Sequence, residues 1–355
     1  MKLSISKSIL ENILIHAQPF LEKKDTSHIT SHIYLNLSNS ILTLKATDNE
    51  IGFQVSTNQI NPFKDGTVTA NGKKFLDIVR ILKDDEIKLE VKNNLLYISQ
   101  ANSNFKLPTF AYNEFPTFPI YDDKNPISIN SNILIESLKK ITPAIDTNNP
   151  KFELNGALMD IKQNYISFAS TDTRRLAVVD IDNQGNNELS IIIPKKAIIE
   201  IQKLFFDNIN IYYDNTNLII TSNQYTFFTK LINGKFPEYT RIIPKEIKHN
   251  LLLPKASMIN AIKQITIIST DVKITFINNS IIFEGLSEDN IEAKTEINYN
   301  TQFDEPFSIA INSKYLLDFL NNISSNEFNI GLNEPNLPFI LNDGNFKTVV
   351  MPIVI

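Results

Sequence analysis

Only four of the thirty-four basic residues are arginines: Arg80, Arg174, Arg175 and Arg241. Two of them stand side by side in FASTDTRRLAVV, residues 168–179, between apolar runs that read as two strands joined by a polar turn. A guanidinium is a rigid planar fork and an ammonium a mobile point charge. A lysine-biased chain that places two arginines together uses their shape there, for binding. Arg241 lies in a second informative stretch, FPEYTRIIP, residues 236–244.

Bond-making chemistry has little to work with. Cysteine is absent, which excludes disulfides, thiolate metal sites and a thiol nucleophile. The four histidines are scattered, and His28-x3-His32 has no matching carboxylate motif. Nine glycines are too few for a phosphate-cradling loop. Asp48 and Asp172 close LTLKATD (42–48) and ISFASTD (166–172) at equivalent turn positions, where an aspartate caps the turn. No catalytic residue, metal ligand or cofactor is expected.

The elements that position these residues repeat. The two turns lie 124 residues apart, and IIFEGLSED (281–289) is a looser third copy. Three amphipathic helices also recur, in KKFLDIVRIL, KKAIIEIQKLF and SKYLLDFLNNI. Lys73, Asp77 and Arg80 are spaced as Lys196, Glu200 and Lys203, and as Lys314, Asp318 and Asn321. That spacing puts each trio on one helical face. The opposite face carries Phe75, Leu76, Ile78 and Val79 in the first copy, Ile198, Ile199 and Ile201 in the second, and Leu316, Leu317, Phe319 and Leu320 in the third. A further helix opens each unit, over about 6–20, 130–145 and 254–268, the first with Ser8-x-x-Glu11 as a capping box. Proline-rich EFPTFP (114–119) and KFPEYTRIIP (235–244) read as extended linkers. The chain therefore reads as three tandem α+β domains, 1–122, 123–246 and 247–355, each pairing two helices with a sheet.

The net charge of −5 argues against a nucleic-acid binder until its placement is considered. The six helical spans, 6–20, 71–83, 130–145, 194–207, 254–268 and 312–323, hold thirteen basic and six acidic residues, so their surplus is positive and the remainder of the chain is acidic. Charged helices are commonly solvated surface. Six sharing one sign, against a chain of the other, point to a polyanion-facing surface that makes phosphate contacts with weak sequence preference. Lys73, Lys74, Arg80, Lys196, Lys203 and Lys314 are the candidates, with Lys23 and Lys24 on a loop. The N-terminus lacks a signal-peptide core and no apolar run is long enough to span a bilayer, so the expected location is cytoplasmic, with no membrane partner.

LNG (154–156), TDTRRLAVV (171–179), GKFPEYTRIIP (234–244) and the C-terminal VVMPIVI (349–355), with NEFP (113–116) and the segment 312–315, occur in order and at the right separations. Together they make the whole chain similar to bacterial DNA polymerase III beta subunits, the replicative sliding clamps. The resemblance implies a clamp fold and a head-to-tail homodimer ring, with helices lining a bore threaded by duplex DNA. Twelve helices about 10 Å wide leave a bore of about 28 Å, and six leave only about 9 Å, so two chains are needed. It also implies that Phe105 and Leu107 face Ile267 and Ile268 across the subunit contact.

In such clamps, partners insert a short apolar peptide between the second and third units. The matching positions are Leu154, Thr171, Arg175, Leu176, Pro237, Arg241, Ile242, Asn312, Tyr315, Val349, Met351, Pro352 and Ile353. The arginine stems are expected to wall the trough while their heads stay wet. The implied partners are duplex DNA, a second copy of the chain, the replicative polymerase subunit, the clamp loader and other clamp-motif proteins. A peptide-binding scaffold without a DNA role is the alternative. The family usually has Gly-His at Thr173-Arg174, an aromatic at Glu153, Arg at Val354 and a longer loop at 343–345.

Overall fold

The computed structural model describes residues 1–124, 126–183, 188–206, 208–285, 293–301 and 303–353. Among them are six α-helices: α1 (Lys7–Ala17), α2 (Gly72–Ile81), α3 (Ser131–Ile141), α4 (Lys195–Leu204), α5 (Lys255–Ile265) and α6 (Ser313–Asn322). All six fall inside the spans expected from periodicity, and they end earlier. Past α1 and α3 the chain tightens into 3₁₀ turns, Gln18–Phe20 and Thr142–Ala144. Pro19 and Pro143 sit at their starts and, lacking an N–H, cannot continue the α-helical ladder.

The capping box expected at Ser8 and Glu11 does not form. The N-cap is Ser6, whose hydroxyl pairs with that of Ser8 at 2.7 Å and caps no backbone N–H. Glu11 turns to Lys7 and Arg80 instead, at 3.7 and 3.9 Å. The amphipathic faces of α2, α4 and α6 bury Phe75, Val79, Ile198, Ile201, Leu316, Phe319 and Leu320 to 2% exposure or less. Ile199 departs from the expectation: it lies one step round the helix and is 37% exposed. Asp207, counted with the fourth helix, lies outside the described residues, as do the last four residues of IIFEGLSED.

The chain forms two compact units, Met1–Asn132 with Glu200–Leu231, and Ile133–Ile199 with Ile232–Ile355. Strand residues alternate between a core face and an outer face: in His32–Ser38, Ile33, Leu35 and Leu37 are buried between more exposed neighbours. The first unit holds a five-stranded sheet in the order Asn61–Lys64, Lys2–Ser6, Glu86–Lys92, Leu95–Gln100, Ser103–Pro108. Its second sheet has eight strands, in the order Ile127–Ile129, Ile209–Tyr213, Asn217–Thr221, Tyr225–Lys230, Ile51–Thr57, Ile41–Thr47, His32–Ser38, Gly66–Asn71. Four strands from beyond residue 122 thus join four from before it, where Tyr225–Lys230 runs antiparallel to Ile51–Thr57. Phe20 packs over that junction, 5.3 Å from the Phe53 ring and 6.0 Å from that of Phe227.

The second unit repeats the scheme. Its eight-stranded sheet runs Leu189–Pro194, Gly156–Ile161, Tyr165–Thr171, Arg175–Asp182, Phe346–Val350, Phe339–Asp343, Glu327–Leu332, His249–Pro254. Here the junction is Arg175–Asp182 against Phe346–Val350, with Leu176 opposite Val349. A four-stranded sheet, Lys294–Asn298, Ser280–Gly285, Asp271–Ile277, Phe307–Asn312, completes the unit.

Candidate functional site: a basic-rimmed apolar cleft at the second sheet junction

The turn at 172–175 is built by its own side chains. Asp172 Oδ1 accepts the backbone N–H groups of Arg174 and Arg175 at 3.0 and 2.9 Å. The Thr171 hydroxyl donates to the Arg175 carbonyl at 2.6 Å and accepts from Thr173 N–H at 3.1 Å. The first repeat has the same set: Asp48 Oδ1 accepts from Glu50 and Ile51, and Thr47 serves the Ile51 carbonyl and Asn49 N–H. Both aspartates are turn caps, as their equivalent positions suggest. The turn forces a left-handed residue, Asn49 at φ 74° and Thr173 at φ 72°. Asparagine tolerates that region, whereas a β-branched residue in it is strained.

Arg175 does not wall the cleft with a wet head. It is 5% exposed. Its Nε donates to Asp172 Oδ2 at 2.9 Å, one terminal nitrogen donates to Asp318 Oδ2 at 2.7 Å, and the other donates to the Pro143 carbonyl. The Tyr315 ring lies 4.5 Å from the guanidinium carbon, within cation–π range. Burying a charge is tolerable only with such full pairing. The residue is a strut between the turn, the end of α3 and the face of α6, so Asp318 belongs to this network.

The neighbouring strands and linker enclose a cleft of about 590 Å³. It brings together Thr171, Arg175, Leu176, Arg241, Ile242, Val349 and Met351 from the sequence-derived set. Thr173, Arg174, Ile243, Pro244, Lys245, Asn333, Leu337 and Pro338 join them. Ile242, Leu337 and Met351 present apolar surface at 53%, 45% and 43% exposure. Leu154, Pro237, Asn312, Tyr315, Pro352 and Ile353 lie outside the lining. Leu154 is buried. Asn312 is the N-cap of α6, accepting Lys314 N–H at 3.1 Å and donating to Asp271 at 3.1 Å. Ile353 N–H bonds the Ala310 carbonyl at 2.8 Å and so ties the C-terminal segment down. The 333–338 contribution was missed because its residues are distant in sequence and arrive through the sheet. Leu337 before Pro338 is the one signal that it offered.

Arg174, Arg241 and Lys245 rim this cleft with the buried Arg175 behind them, and no aspartate or glutamate lines it among the described residues. Arg241 is already paired with Glu238. A cleft of similar size in the first unit, about 610 Å³, mixes the amides and hydroxyls of Ser8, Asn12, Ser56, Thr57, Asn58 and Gln224 with Ile9, Ile13, Ile41 and Val55, and among the described residues no lysine or arginine lines it.

The candidate phosphate-facing residues Lys23, Lys24, Lys73, Lys74, Arg80, Lys196, Lys203 and Lys314 are all exposed. Lys23, Lys73 and Arg80 converge on one cleft of about 360 Å³, which Glu22 and Asp77 also line. Lys203 pairs with Glu200 at 2.9 Å. Three other helix lysines instead hydrogen-bond carbonyls at helix ends, a use that the sequence does not announce. Lys7 Nζ donates to the Arg80 carbonyl at 3.3 Å, Lys195 to Ile145 at 2.7 Å and Lys255 to Ile323 at 2.7 Å. Of the residues expected at a subunit contact, Ile267 and Ile268 are 81% and 40% exposed and Phe105 is half-buried. Leu107, 5% exposed, already packs in its own core opposite Leu96. His32 is 4% exposed against Phe110, and burial, with Lys74 nearby, lowers its pKa to about 4.

Comparison with known proteins gives these features a family. Models of the DNA polymerase III beta subunit match the N-terminal domain over residues 1–119, the central domain over 128–238 and the C-terminal domain over 240–354. The chain is 38% identical to a beta sliding clamp of Helicobacter pylori strain J99, covering all of both chains. It is 30% identical to one from Buchnera aphidicola, covering 94% of this chain and 93% of the relative. The crystal structure of the Helicobacter pylori beta clamp bound to a DNA ligase peptide superimposes with a TM-score of 0.95 at 40% identity over the full length of both. The chain belongs to the DNA polymerase III beta subunit family, the bacterial beta sliding clamps.

Proposed function

We propose that two copies of this chain close head to tail around duplex DNA, and that the cleft beside Arg174 docks the peptide segments of a replicative polymerase and other clamp partners. The repeats divide near residues 122 and 246. The protein is a processivity subunit and not a catalyst. Its proposed location is the cytoplasm; no helix among the described residues is long and apolar enough to cross a membrane.

The sheet edges carry the ring. At the first junction, strands from the second repeat (Tyr225–Lys230) meet strands from the first (Ile51–Thr57). At the next, the third repeat (Phe346–Val350) meets the second (Arg175–Asp182). The same rule leaves one strand of each kind without a partner: Ser103–Pro108, the edge of the first repeat's sheet, and Lys294–Asn298, the edge of the third's. Joining them needs a second copy. Tyr225 pairs with Val55 and Phe346 with Val179; Val55 and Val179 pair back with Leu44 and Phe168, whose counterpart Phe283 pairs with Thr295, so Ser103 falls opposite Thr295 of the second copy. In the same frame Phe105 corresponds to Phe227, and Ile268 to Phe20, each three residues beyond its helix. The Phe20–Phe227 contact is thus the pattern for Phe105 against Ile268, with Ile267 beside it.

A closed ring turns weak phosphate contacts from Lys23, Lys24, Lys73, Lys74, Arg80, Lys196, Lys203 and Lys314 into lasting attachment, because leaving DNA requires opening the ring. At the cleft, micromolar affinity needs only about −8 kcal/mol, which a few buried apolar anchors supply. The test is retention after loading on nicked circular DNA. The protein should stay on the circle at a salt concentration that removes lysine–phosphate contacts, and run off once the circle is linearised. Equal loss from both forms would leave a peptide-binding scaffold without a DNA role.

A further inference from the structure

We infer that a hollow at the first sheet junction, walled by linker residues 118–122, binds a small monocarboxylate with an apolar body, and that Lys45, Gln54 and Thr226 hold its carboxylate. The inference rests on neither the ring nor the peptide-docking reading.

The strand register builds a row of donors. Lys45 pairs with Gln54, and Gln54 with Thr226. Directly opposed residues point to the same face of a sheet, and all three line the hollow. An ammonium, an amide and a hydroxyl therefore stand side by side on three neighbouring strands, about 4.8 Å apart. Among the described residues none of these side chains has a hydrogen bond or ion pair within the protein. The second unit fills the same row differently. Ala169 lies two residues before Thr171, as Lys45 lies two before Thr47. Ala169 opposes Val178, and both belong to an apolar cluster with Leu158 and Val349. The third place there is Lys347, whose charge is met by Asp180 at 3.5 Å.

Lys45 thus puts a cation where the sister unit has a methyl group. It is partly buried, and burial lowers its pKa. The Phe118 and Tyr34 rings lie 5.0 and 5.9 Å from its Nζ. Such cation–π contacts offset some of the lost hydration, and a carboxylate offers a stronger, charge-assisted hydrogen bond. Phe118 also meets the Phe228 ring edge-on at 4.8 Å, which gives the hollow an aromatic wall beside Ile120.

Size and charge define the ligand. The hollow is about 220 Å³, below the range of about 300–1,000 Å³ usual for drug-sized ligands, so it takes a single ring or a short branched chain. Asp122, exposed, lines it too and would repel a second negative charge. One carboxylate meets the donor row, and the apolar body meets Phe118, Ile120 and Phe228.

The test uses the full-length protein and fluorine NMR titrations of para-fluorophenylacetate and its uncharged match, para-fluorophenylacetamide. A one-ring acid should bind with a Kd of about 1 mM. The amide should bind about tenfold more weakly. Lys45→Met should weaken the acid about tenfold, to the level of the amide, and Gln54→Leu about threefold. Arg174→Gln should leave the acid within about twofold of the wild type. Equal affinities for acid and amide in the wild type overturn carboxylate recognition. Unchanged acid binding in Lys45→Met, or a tenfold loss in Arg174→Gln, places the ligand elsewhere and overturns the assignment. Should Lys45→Met fail to fold, Gln54→Leu decides, because an unchanged acid affinity there removes the donor row. No acid binding at ten times the expected Kd overturns the site itself.

Discussion

A threonine at φ 72° is an uncomfortable residue for a turn. Its branched Cβ crowds the backbone where glycine would not. The turn holds because Asp172 and Thr171 satisfy its N–H groups and fix its shape. Replacing Thr173 with glycine should relieve the strain at the cost of more freedom in the unfolded chain. The expected net gain is on the order of 1 kcal/mol, read as a raised midpoint in thermal denaturation; an unchanged or lower midpoint would show that the strain is not there. His32 makes the second residue-scale prediction. Its pKa, about 4 when folded, lies below the ordinary 6.5. The stability it contributes is complete above pH 6.5 and is lost as pH falls toward 4, because the unfolded chain takes up the proton first. Urea titrations should show about 2 kcal/mol of such loss between pH 7 and 5, absent in His32→Phe. The same loss in the variant would assign it to other groups.

Among the elements, the two sheet junctions explain why one is open and the other closed. The pair Gly52 and Phe228 at the first stands where Leu176 and Val349 stand at the second. A Cβ at Gly52 would overlap the Phe228 ring, so the large ring fills the space that the small residue vacates. What remains is a hollow of about 220 Å³ beside Phe118 and Ile120. Phe228→Val should enlarge it toward the size of the cleft beside Arg174 and cost about 2–4 kcal/mol for the lost packing. A crystal structure of the variant with an unenlarged hollow would refute this. The duplication itself was legible in the sequence, because helical spacing and turn chemistry are local: Lys73, Lys196 and Lys314 mark it, and Asp48 matches Asp172. Less local features were not. Asn312 looked like a groove residue and is a helix cap, since capping depends on where the helix starts. Arg175 looked like a wet wall, and its burial is set by Asp318, 143 residues away. Leu337 reaches the cleft only through strand pairing.

For the whole molecule, the subunit contact and the cleft should be separable. Ile268→Lys puts a charge where the Phe20 pattern puts an aromatic, and should convert dimer to monomer in sedimentation equilibrium while leaving peptide affinity within about twofold. A dimer that persists would remove Ile268 from the contact. Ending the chain before Met351 removes the Met351 N–H bond to the Arg174 carbonyl and part of the cleft wall. Peptide binding should then be lost with the dimer intact. Full affinity in the truncated protein would place the docking site elsewhere.

The two bare strand edges have one further consequence. An unpaired edge invites any passing strand, and proteins that must carry one guard it with lysine and proline. Ser103–Pro108 ends in proline and holds exposed Lys106, and Lys294–Asn298 begins with lysine and carries Glu296. These residues disfavour pairing with unrelated strands, so in the proposed ring the edges of a parted protomer should stay free for a second copy instead of aggregating.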